Sequence, residues 1–396
     1  MNGRASRNGA TPASGTSSGA ASGGLGYEPG IDGLRAVSIT GVFLFHACAT
    51  SSLAGWFRGG GLGVSVFFTL SGFLITGLLV RDIDARGTVD LSRFWGRRIR
   101  RLAPASLAVI VAVVLIGQTS WLAVHRSSVV AAVWSATNWH AIAAGEGRVL
   151  ETIVGPLGPT WSLAVEEQFY LALSLLVWLI SRTGQPIRNL AVVFAGVIPV
   201  GIALANLVGD FGPRLEFGTD VRAPELAVGG LAALAHRRWA SRVDHHRLGD
   251  VIGFAAIVVI VGLFLTADYT PPWLLRGGFT LVALVTTALV FGVLTHGRLD
   301  AALSVRPLVW LGRVSYSLYL VHWPAILVLR AGRVGVDGWA LVMIKAAVSV
   351  VLAGAVHHLV EQPVRARHGI STKTTVLVWL AASAAVTALG VALGAA

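Results

Sequence analysis

Long apolar stretches separated by short polar segments run through the chain from residue 36 almost to its end. Each stretch is close to the ~20 residues that a helix needs to cross a bilayer, and the runs are continuous rather than alternating as in a barrel strand. We therefore expect an all-α, polytopic integral membrane helical bundle. The pattern predicts eleven spans, at residues 36–54, 62–81, 103–122, 161–181, 189–208, 220–236, 250–267, 277–296, 311–330, 339–360 and 375–395.

Two segments fall outside this pattern. Residues 1–26 are rich in Gly, Ser and Ala, which predicts a disordered tail, and they lack the compact apolar region of a signal peptide. Ser127–Val154 is long but does not form a span. It is interpreted as a re-entrant or interfacial helix with Trp134, Trp139 and His140 as anchors at the membrane surface.

Composition supports the membrane interpretation, because 55% of the residues are hydrophobic and 13% are charged, whereas soluble domains carry about 25% charged residues. Cys48 is the one cysteine, which excludes an intramolecular disulfide and a thiolate cluster. The net charge of +12 is compatible with nucleic-acid binding, but the basic residues lie in the loops between apolar runs. We therefore expect no nucleic-acid partner, and we use these charges to orient the chain.

Placing the N-terminus in the cytoplasm puts 22 basic residues in the inner loops and 8 in the outer ones. This bias follows the positive-inside rule and predicts a cytoplasmic N-terminus.

The first predicted span carries two ionisable residues, Arg35 and His46. They are eleven positions apart, so they share a helix face with a separation of about 16 Å along the axis. With Arg35 at the membrane surface, His46 is expected near the midplane. A charged or titratable group at that depth is a candidate functional residue, although a histidine can also be a hydrogen-bonded packing residue.

A dense basic run precedes the third span, and it contains Arg97, Arg98, Arg100 and Arg101 beside Phe94 and Trp95. One interpretation is an ordinary positive flank of a membrane helix. The other is phosphate recognition, because guanidinium groups bind phosphate oxygens in a bidentate manner. A cytosolic phosphorylated ligand would suit the second interpretation.

Three further stretches place polar side chains within or beside spans. Glu166 and Glu167 open the fourth span, with Asp220, Arg222 and Glu225 as candidate ion-pair partners; a solvated acid and a structural ion pair are the alternative. Ser315–Pro324 places Tyr316, Tyr319 and His322 at helical spacing, which also suits hydrogen bonding between helices. Glu361 precedes Gln362–Pro363 at a helix end, where an acid is often structural.

These stretches together resemble the type 3 membrane acyltransferase family, whose members O-acylate sugars and sugar-bearing molecules. The matches are Asp32–Ala36 with His46, Phe67–Phe73, Arg98–Arg101 followed by Pro104, Trp161–Tyr170, Ser315–Tyr319 with His322–Pro324, and Glu361–Pro363, all in the family's order. The resemblance implies about ten core helices over residues 27–365. Residues 366–396 would then be a linker and an additional C-terminal helix, which in some members leads to an extracytoplasmic domain.

The resemblance also implies an integral protein of the cell (inner) membrane. It would move an acyl group, in the first instance acetyl, from cytosolic acyl-CoA to a sugar hydroxyl of a polysaccharide, glycolipid or glycosylated metabolite, without a metal. His46 would act as general base or acyl relay, with Arg35 beside the donor. The implied partners are membrane lipid, the sugar-containing acceptor and, for some members, a separate extracytoplasmic transferase. The donor would bind to Arg98 and Arg101, helped by Arg97 and Arg100; candidates for the acceptor side or for structural polar roles are Glu166, Glu167, Tyr170, Asp220, Arg222, Ser315, Tyr316, His322 and Glu361.

A transporter is the alternative, because intramembrane His, Glu and Arg residues also mark substrate pathways. A transporter gives no reason for the cytosolic arginine cluster, and no internal repeat is evident. A membrane scaffold without catalysis would leave the ionisable residues in the spans unexplained. The identity of the acceptor and the length of the acyl chain stay open.

Overall fold

The structure is a computed structural model that describes residues 26–145, 155–209, 212–239, 246–269, 271–367 and 369–395. Within these ranges the fold is all-α, as predicted, and the one β contact is an isolated bridge between His125 and Ala395. The predicted disordered tail lies outside the described residues except for Gly26. The helices are α1 Pro29–Ala49, α2 Gly63–Arg86, α3 Leu91–Ile116, α4 Arg126–Val133, α5 Thr137–Ala143, α6 Thr160–Ile180, α7 Pro186–Leu207, α8 Gly212–Phe217, α9 Thr219–Trp239, α10 His246–Thr266, α11 Phe279–Leu294, α12 Arg298–Leu303, α13 Arg306–Arg313, α14 Ser315–Val328, α15 Ala331–Val334, α16 Gly338–Val356, α17 Gln362–Arg365 and α18 Thr372–Leu393.

Nine helices of the described chain are long and apolar enough to cross a membrane, which confirms a multi-pass membrane protein. Helices also occupy the other two predicted spans, but neither combines the length and the apolar composition of a spanning helix. Helix α9 carries acids in its first turns and Arg237 and Arg238 in its last turn. Helix α14 has 14 residues, fewer than the ~20 needed to cross a bilayer.

Helix α1 lies at the centre of the bundle, where it packs against α2, α12, α13, α14 and α16. Close approach of the backbones depends on two glycines. A Cβ on Gly33 would overlap the carbonyl oxygen of Leu303, and a Cβ on Gly312 would overlap that of Asp32. The Arg35 end of α1 is therefore held tightly against α12 and α13.

The start of α1 differs from the prediction. The helix begins at Pro29, which suits the first helical position, rather than at residue 36. The polar residues that precede the apolar run are helical because they have partners: Asp32 accepts a hydrogen bond from Tyr27 (3.0 Å) and lies 3.7 Å from Arg313. The helix also ends earlier than predicted, at Ala49 rather than at residue 54, so His46 lies in its last turn. The depth of His46 in the membrane stays a prediction.

The C-terminal helix α18 packs on the bundle along α3 and α4. Ser371 caps its N-terminus by accepting from the Thr374 amide (3.1 Å), and Arg100 donates to Thr375 (3.0 Å). Nearer the other end, the Trp134 indole donates to Thr387 (3.1 Å). The predicted interfacial segment consists of the short helices α4 and α5 up to residue 145, and its residues 146–154 lie outside the described ranges.

Candidate active site

A cavity of about 610 Å³ lies between α1, α2, α3, α6, α14 and α18. Its wall carries nine of the charged, tyrosine and serine candidates named from the sequence, which come from four different helices. They are Arg35, Arg98, Arg101, Glu166, Glu167, Tyr170, Ser315, Tyr316 and Tyr319. The candidate donor residues and the candidate acceptor residues, separated along the chain, thus share one space.

The four arginines predicted to bind the donor divide into two pairs. Arg98 and Arg101 line the cavity, as expected for residues three apart on one helix face. Arg100 instead points at α18, where it bonds to Thr375. Arg97 is not part of the cavity wall and lies near Asp82 and the N-terminal cap of α3.

Arg98 is engaged by protein groups. Its Nε lies 3.3 Å from Glu167 Oε1, and its Cζ lies 3.4 Å above the ring of Tyr170. The Tyr170 hydroxyl donates to Glu166 (2.9 Å), which also accepts from Ser71 (2.9 Å). A single network therefore joins Arg98 to both carboxylates of the WSLAVEEQFY stretch.

Arg101 and Arg35 are less engaged. Arg101 is exposed on the cavity wall and makes no hydrogen bond or ion pair with a described residue. Its electrostatic neighbours include Arg35, Arg98 and Arg365, with Glu361 as the one acid. Arg35 lies 3.9 Å from Asp32, at the limit of an ion pair. This end of the cavity consequently has excess positive charge.

His46 and His322 form a direct pair. His46 Nδ1 lies 3.0 Å from His322 Nε2, and the two side chains are buried. His322 Nδ1 lies 2.7 Å from the carbonyl oxygen of Tyr319. A carbonyl oxygen can only accept, so in neutral His322 the proton is on Nδ1 and Nε2 is an acceptor. His46 must then donate from Nδ1, which leaves its Nε2 with a free lone pair.

The histidine pair does not itself line the cavity; Tyr319 connects the two. The Tyr319 ring lines the cavity and lies 5.5 Å from the ring of His322. Its hydroxyl is 2.6 Å from that of Ser162 and donates to the Pro159 carbonyl (2.9 Å). On the other side, the ring of Trp323 packs 4.9 Å from His46.

The position of His46 is supported by a buried lysine that the sequence reasoning did not assign. Lys345 Nζ donates to Thr50 Oγ1 (2.9 Å), Thr50 O (3.1 Å) and Ala47 O (3.3 Å), all at the C-terminal end of α1. Thr50 Oγ1 in turn donates to the carbonyl oxygen of His46 (2.8 Å). A cation at this end also interacts favourably with the helix dipole. In the sequence, Lys345 is recognisable as the lysine within a predicted apolar span.

Asp220, Arg222 and Glu225 are not the partners of Glu166 and Glu167, so that expectation is wrong. Arg222 is fully buried and pairs with Glu225 in its own helix, with Nε 2.5 Å from Oε1. Asp220 forms a bidentate pair with Arg214. Neither Asp220 nor Arg222 lines the cavity.

The other candidates lie near the arginine end. Glu361 is buried and accepts from Ser317 (3.1 Å), with His357 Nδ1 at 2.9 Å. The Tyr316 hydroxyl donates to the carbonyl oxygen of Leu102 (2.8 Å). Ser315 lines the cavity with a buried hydroxyl that has no hydrogen-bond partner in the described structure.

In the described ranges no group of three or more His, Cys, Asp or Glu side chains is arranged to hold a metal ion. The cavity wall and the histidine pair beside it carry imidazole, guanidinium, carboxylate and hydroxyl groups.

Comparison with known proteins identifies related sequences. The sequence model of an acyltransferase domain, of type 3, matches residues 28–358. The O-acetyltransferase OatA of Staphylococcus aureus strain NCTC 8325 / PS 47 is 32% identical over 351 residues, which cover 86% of this chain and 57% of the relative. The OatA proteins of strains COL and MRSA252 have the same identity and coverage. The chain thus spans a little over half the length of these relatives. None of the solved structures matches it.

Proposed function

The chain belongs to the type 3 acyltransferase family, and we propose that it transfers an acetyl group from cytosolic acetyl-CoA to a hydroxyl group of a sugar-containing acceptor. The named relatives are O-acetyltransferases, which supports acetyl as the group and oxygen as its destination. The acceptor is a cell-envelope polysaccharide, a glycolipid or a glycosylated metabolite. Membrane lipid surrounds the bundle.

The proposal depends above all on the geometry of the histidine pair. The hydrogen bond from His322 Nδ1 to a backbone carbonyl fixes the tautomer of His322. The hydrogen bond between His322 and His46 (3.0 Å) then fixes the tautomer of His46. A buried imidazole whose Nε2 is held unprotonated is suited to accept a proton or to attack an acyl group. We assign that role to His46.

The donor occupies the cavity. Its phosphates would lie at the arginine end and its thioester arm would extend toward Tyr319. The loop charges favour a cytoplasmic N-terminus. In that orientation the arginine end, near the start of α1, would face the cytosol, where acyl-CoA is found. For the thioester to reach His46, the Tyr319–Ser162 pair has to open, because Tyr319 lies between the cavity and the pair.

Two sequences of bond changes are compatible with this site. As a base, His46 takes the proton of the acceptor hydroxyl while the hydroxyl oxygen attacks the thioester carbonyl. The C–S bond then breaks, and the proton passes from His46 to the departing thiolate. As a relay, His46 Nε2 attacks the thioester carbonyl first, the C–S bond breaks, and CoA leaves as a thiolate. The acceptor oxygen then attacks the acyl-imidazolium, the bond from the acyl carbon to Nε2 breaks, and the hydroxyl proton passes through His46 Nε2 to the thiolate. Both give one O-acyl ester and one CoA thiol.

On the acceptor side we assign Glu166, held by Ser71 and Tyr170, and Glu167, which is paired with Arg98. Carboxylates fixed in this way accept hydrogen bonds from sugar hydroxyls. Asp220 and Arg222 are left out of this set because they pair elsewhere and do not contribute to the cavity wall.

The chain's membership in an acyltransferase family does not favour the alternative function of a transporter. The two functions differ in one product: a transferase consumes the thioester, whereas a transporter moves a solute and leaves acetyl-CoA intact.

The test uses purified protein in vesicles with acetyl-CoA labelled in the acetyl group, in the presence of a crude envelope-sugar fraction. We expect release of free CoA with label appearing on a sugar-containing product. Omitting the acceptor and then precipitating the protein separates the two mechanisms, because only a relay leaves label on the protein. Thioester consumption equal to that of empty vesicles, with acetyl-CoA and with longer acyl-CoAs, would contradict the proposal.

A further inference from the structure

The cavity reaches the lipid-facing surface of the bundle on the side where α6 and α18 stand. The part of its wall formed by Leu74, Leu171, Val376 and Trp379 is called the lateral opening here. We infer that the acceptor enters through the lateral opening from the membrane, and that it is therefore a sugar attached to a lipid chain. This inference rests on the proposed function and narrows its acceptor to one class.

Leu171 belongs to the lipid-facing side of α6. It is 51% exposed, and Leu175 and Leu179, one and two turns further along the helix, are exposed as well. Residues four apart share a helix face, and an exposed apolar face on a helix long enough to cross the membrane is suited to contact lipid. Leu171 also lines the cavity, whereas Leu175 and Leu179 do not. The cavity thus meets the lipid-facing surface at Leu171.

Leu74 leads to the same conclusion from α2. Its side chain is exposed and lines the cavity. Leu74 lies near the middle of α2, as Leu171 does in α6, and both helices are long and apolar enough to span the membrane. The middle of such a helix is surrounded by the hydrocarbon of the bilayer rather than by headgroups or water. The lateral opening therefore faces lipid chains.

Helix α18 forms the other side of the lateral opening. It packs along α3 and α4, whereas α6 packs against α2, α5 and α9. Val376 and Trp379 line the cavity while the neighbouring Leu377 is exposed, so α18 has one side towards the cavity and another towards lipid. The ring of Trp379 lies 6.4 Å from that of Trp134, which is also on the cavity wall. The opening is thus bounded by helices that are held by different parts of the bundle.

The lateral opening leads to the carboxylates that we assign to the acceptor. Glu166 lies between one and two turns from Leu171 on α6, and it accepts hydrogen bonds from Ser71 (2.9 Å) and Tyr170 (2.9 Å). Ser71 is one turn from Leu74 on α2. Ionisable groups between membrane helices typically mark a substrate path. Fixed acceptors for sugar hydroxyls therefore lie just behind an apolar rim.

This combination fits an amphipathic molecule. A free sugar would have to cross hydrocarbon to arrive at the opening, and there its hydroxyls lose their hydrogen bonds to water. An attached lipid chain favours the hydrocarbon with each CH₂ group. The chain can then stay in the bilayer while the sugar enters between α6 and α18. A lipid chain alone would account for the apolar rim but not for the fixed carboxylates behind it.

The test measures which kind of acceptor receives the acetyl group. Purified protein in vesicles is given labelled acetyl-CoA with either a chloroform–methanol extract of envelope membranes or the water-soluble sugar fraction of the same envelopes. We expect label on a lipid-borne sugar of the extract. At a constant amount of extract, the rate should fall as inert phospholipid is added, because a substrate taken from the bilayer responds to its concentration within the membrane.

A matched pair of variants tests the route. Leu171→Trp narrows the lateral opening, and Leu175→Trp makes the same change one turn away, at an exposed position outside the cavity wall. Adding bulk to a passage that the substrate fills is unfavourable, so we expect Leu171→Trp to slow transfer to the extract about fivefold or more. Its KM for acetyl-CoA should stay at the wild-type value, and Leu175→Trp should match wild type in both measurements.

The outcomes are distinguishable. Label only on the water-soluble fraction, or a rate that does not respond to added phospholipid, overturns the inference and leaves the proposed function standing. Wild-type transfer to the extract by a folded Leu171→Trp protein also overturns it, and a raised KM for acetyl-CoA in that variant assigns the opening to the donor instead. Should Leu171→Trp fail to fold, Leu74→Trp tests the same opening from α2. A wild type that consumes no acyl-CoA with either fraction refutes the proposed function itself.

Discussion

Replacing His322 with alanine removes the acceptor of the hydrogen bond from His46 Nδ1. In the wild type that bond is 3.0 Å long and both rings are buried. The variant leaves the Nδ1–H of His46 without its partner, in a site where little water can replace it. His46 is then free to move its proton to Nε2, the nitrogen that must be unprotonated for transfer.

The size of the effect follows from that one bond. A buried donor left without an acceptor costs about 1–3 kcal/mol. If this cost is felt in the reactive tautomer, transfer slows by about five- to 150-fold, since each ~1.4 kcal/mol is a factor of ten. The donor KM should hardly change, because the pair does not line the cavity in which we propose that the donor binds.

The assay is steady-state transfer of labelled acetyl groups by purified His322→Ala and His322→Gln proteins. The amide oxygen of a glutamine can take the place of Nε2 as acceptor, so His322→Gln should recover part of kcat. Wild-type kcat in a folded His322→Ala protein would refute the tautomer argument. An equal loss of kcat in His322→Ala and His322→Gln would also count against the tautomer argument, because the argument requires that the glutamine, as a hydrogen-bond acceptor, recover part of kcat.

Two further predictions concern the support of α1 by Lys345 and the packing of α2 on α9. Lys345→Met removes the cation that bonds three oxygens at the end of α1, so we expect a loss of about 1–3 kcal/mol, measured by thermal unfolding in detergent; Lys373→Met, at an exposed position, is the matched control and should be neutral. Gly72→Leu places a side chain against the backbone of Leu226 where α2 meets α9, so we expect little folded protein by size-exclusion chromatography. The control is Gly196→Ala, whose added Cβ meets open space and which should be neutral or slightly stabilising. Normal yield of Gly72→Leu, or a large effect of Lys373→Met, would contradict this account of the packing.

The positions of the helices were predictable because apolar run length is a local property of the sequence. The start of α1 was not, since Asp32 and Arg35 look like loop residues until Tyr27 and Arg313 are seen to pair with Asp32. The predicted end of this span, residue 54, was also too late, because α1 ends at Ala49; His46 therefore lies in the last turn of the helix rather than in its middle. Tertiary contacts decide whether the polar residues beside an apolar run are helical, and the hydropathy pattern gives no information about those contacts.

The same limit applies to the site. Helical periodicity put Arg98 and Arg101 on one face, and both do line the cavity. Periodicity did not separate their roles, because Arg98 pairs with Glu167, a residue of another helix that is 69 positions further along the chain. The contact between His46 and His322 spans 276 residues. Both histidines were identified as candidates, but which nitrogen carries the proton follows only from the backbone carbonyl of Tyr319.

The most direct test of the central claim is a single-turnover measurement with His46→Ala beside wild type. Purified protein in vesicles, in excess over labelled acetyl-CoA, is mixed with that donor and the acceptor fraction, and free CoA is followed with time. His358→Ala, which changes an exposed histidine outside the cavity wall, is the matched control. The account predicts that His46→Ala binds acetyl-CoA as wild type does yet releases no CoA above background, while His358→Ala behaves as wild type. CoA release and acetyl transfer at the wild-type rate in a folded His46→Ala protein would contradict it.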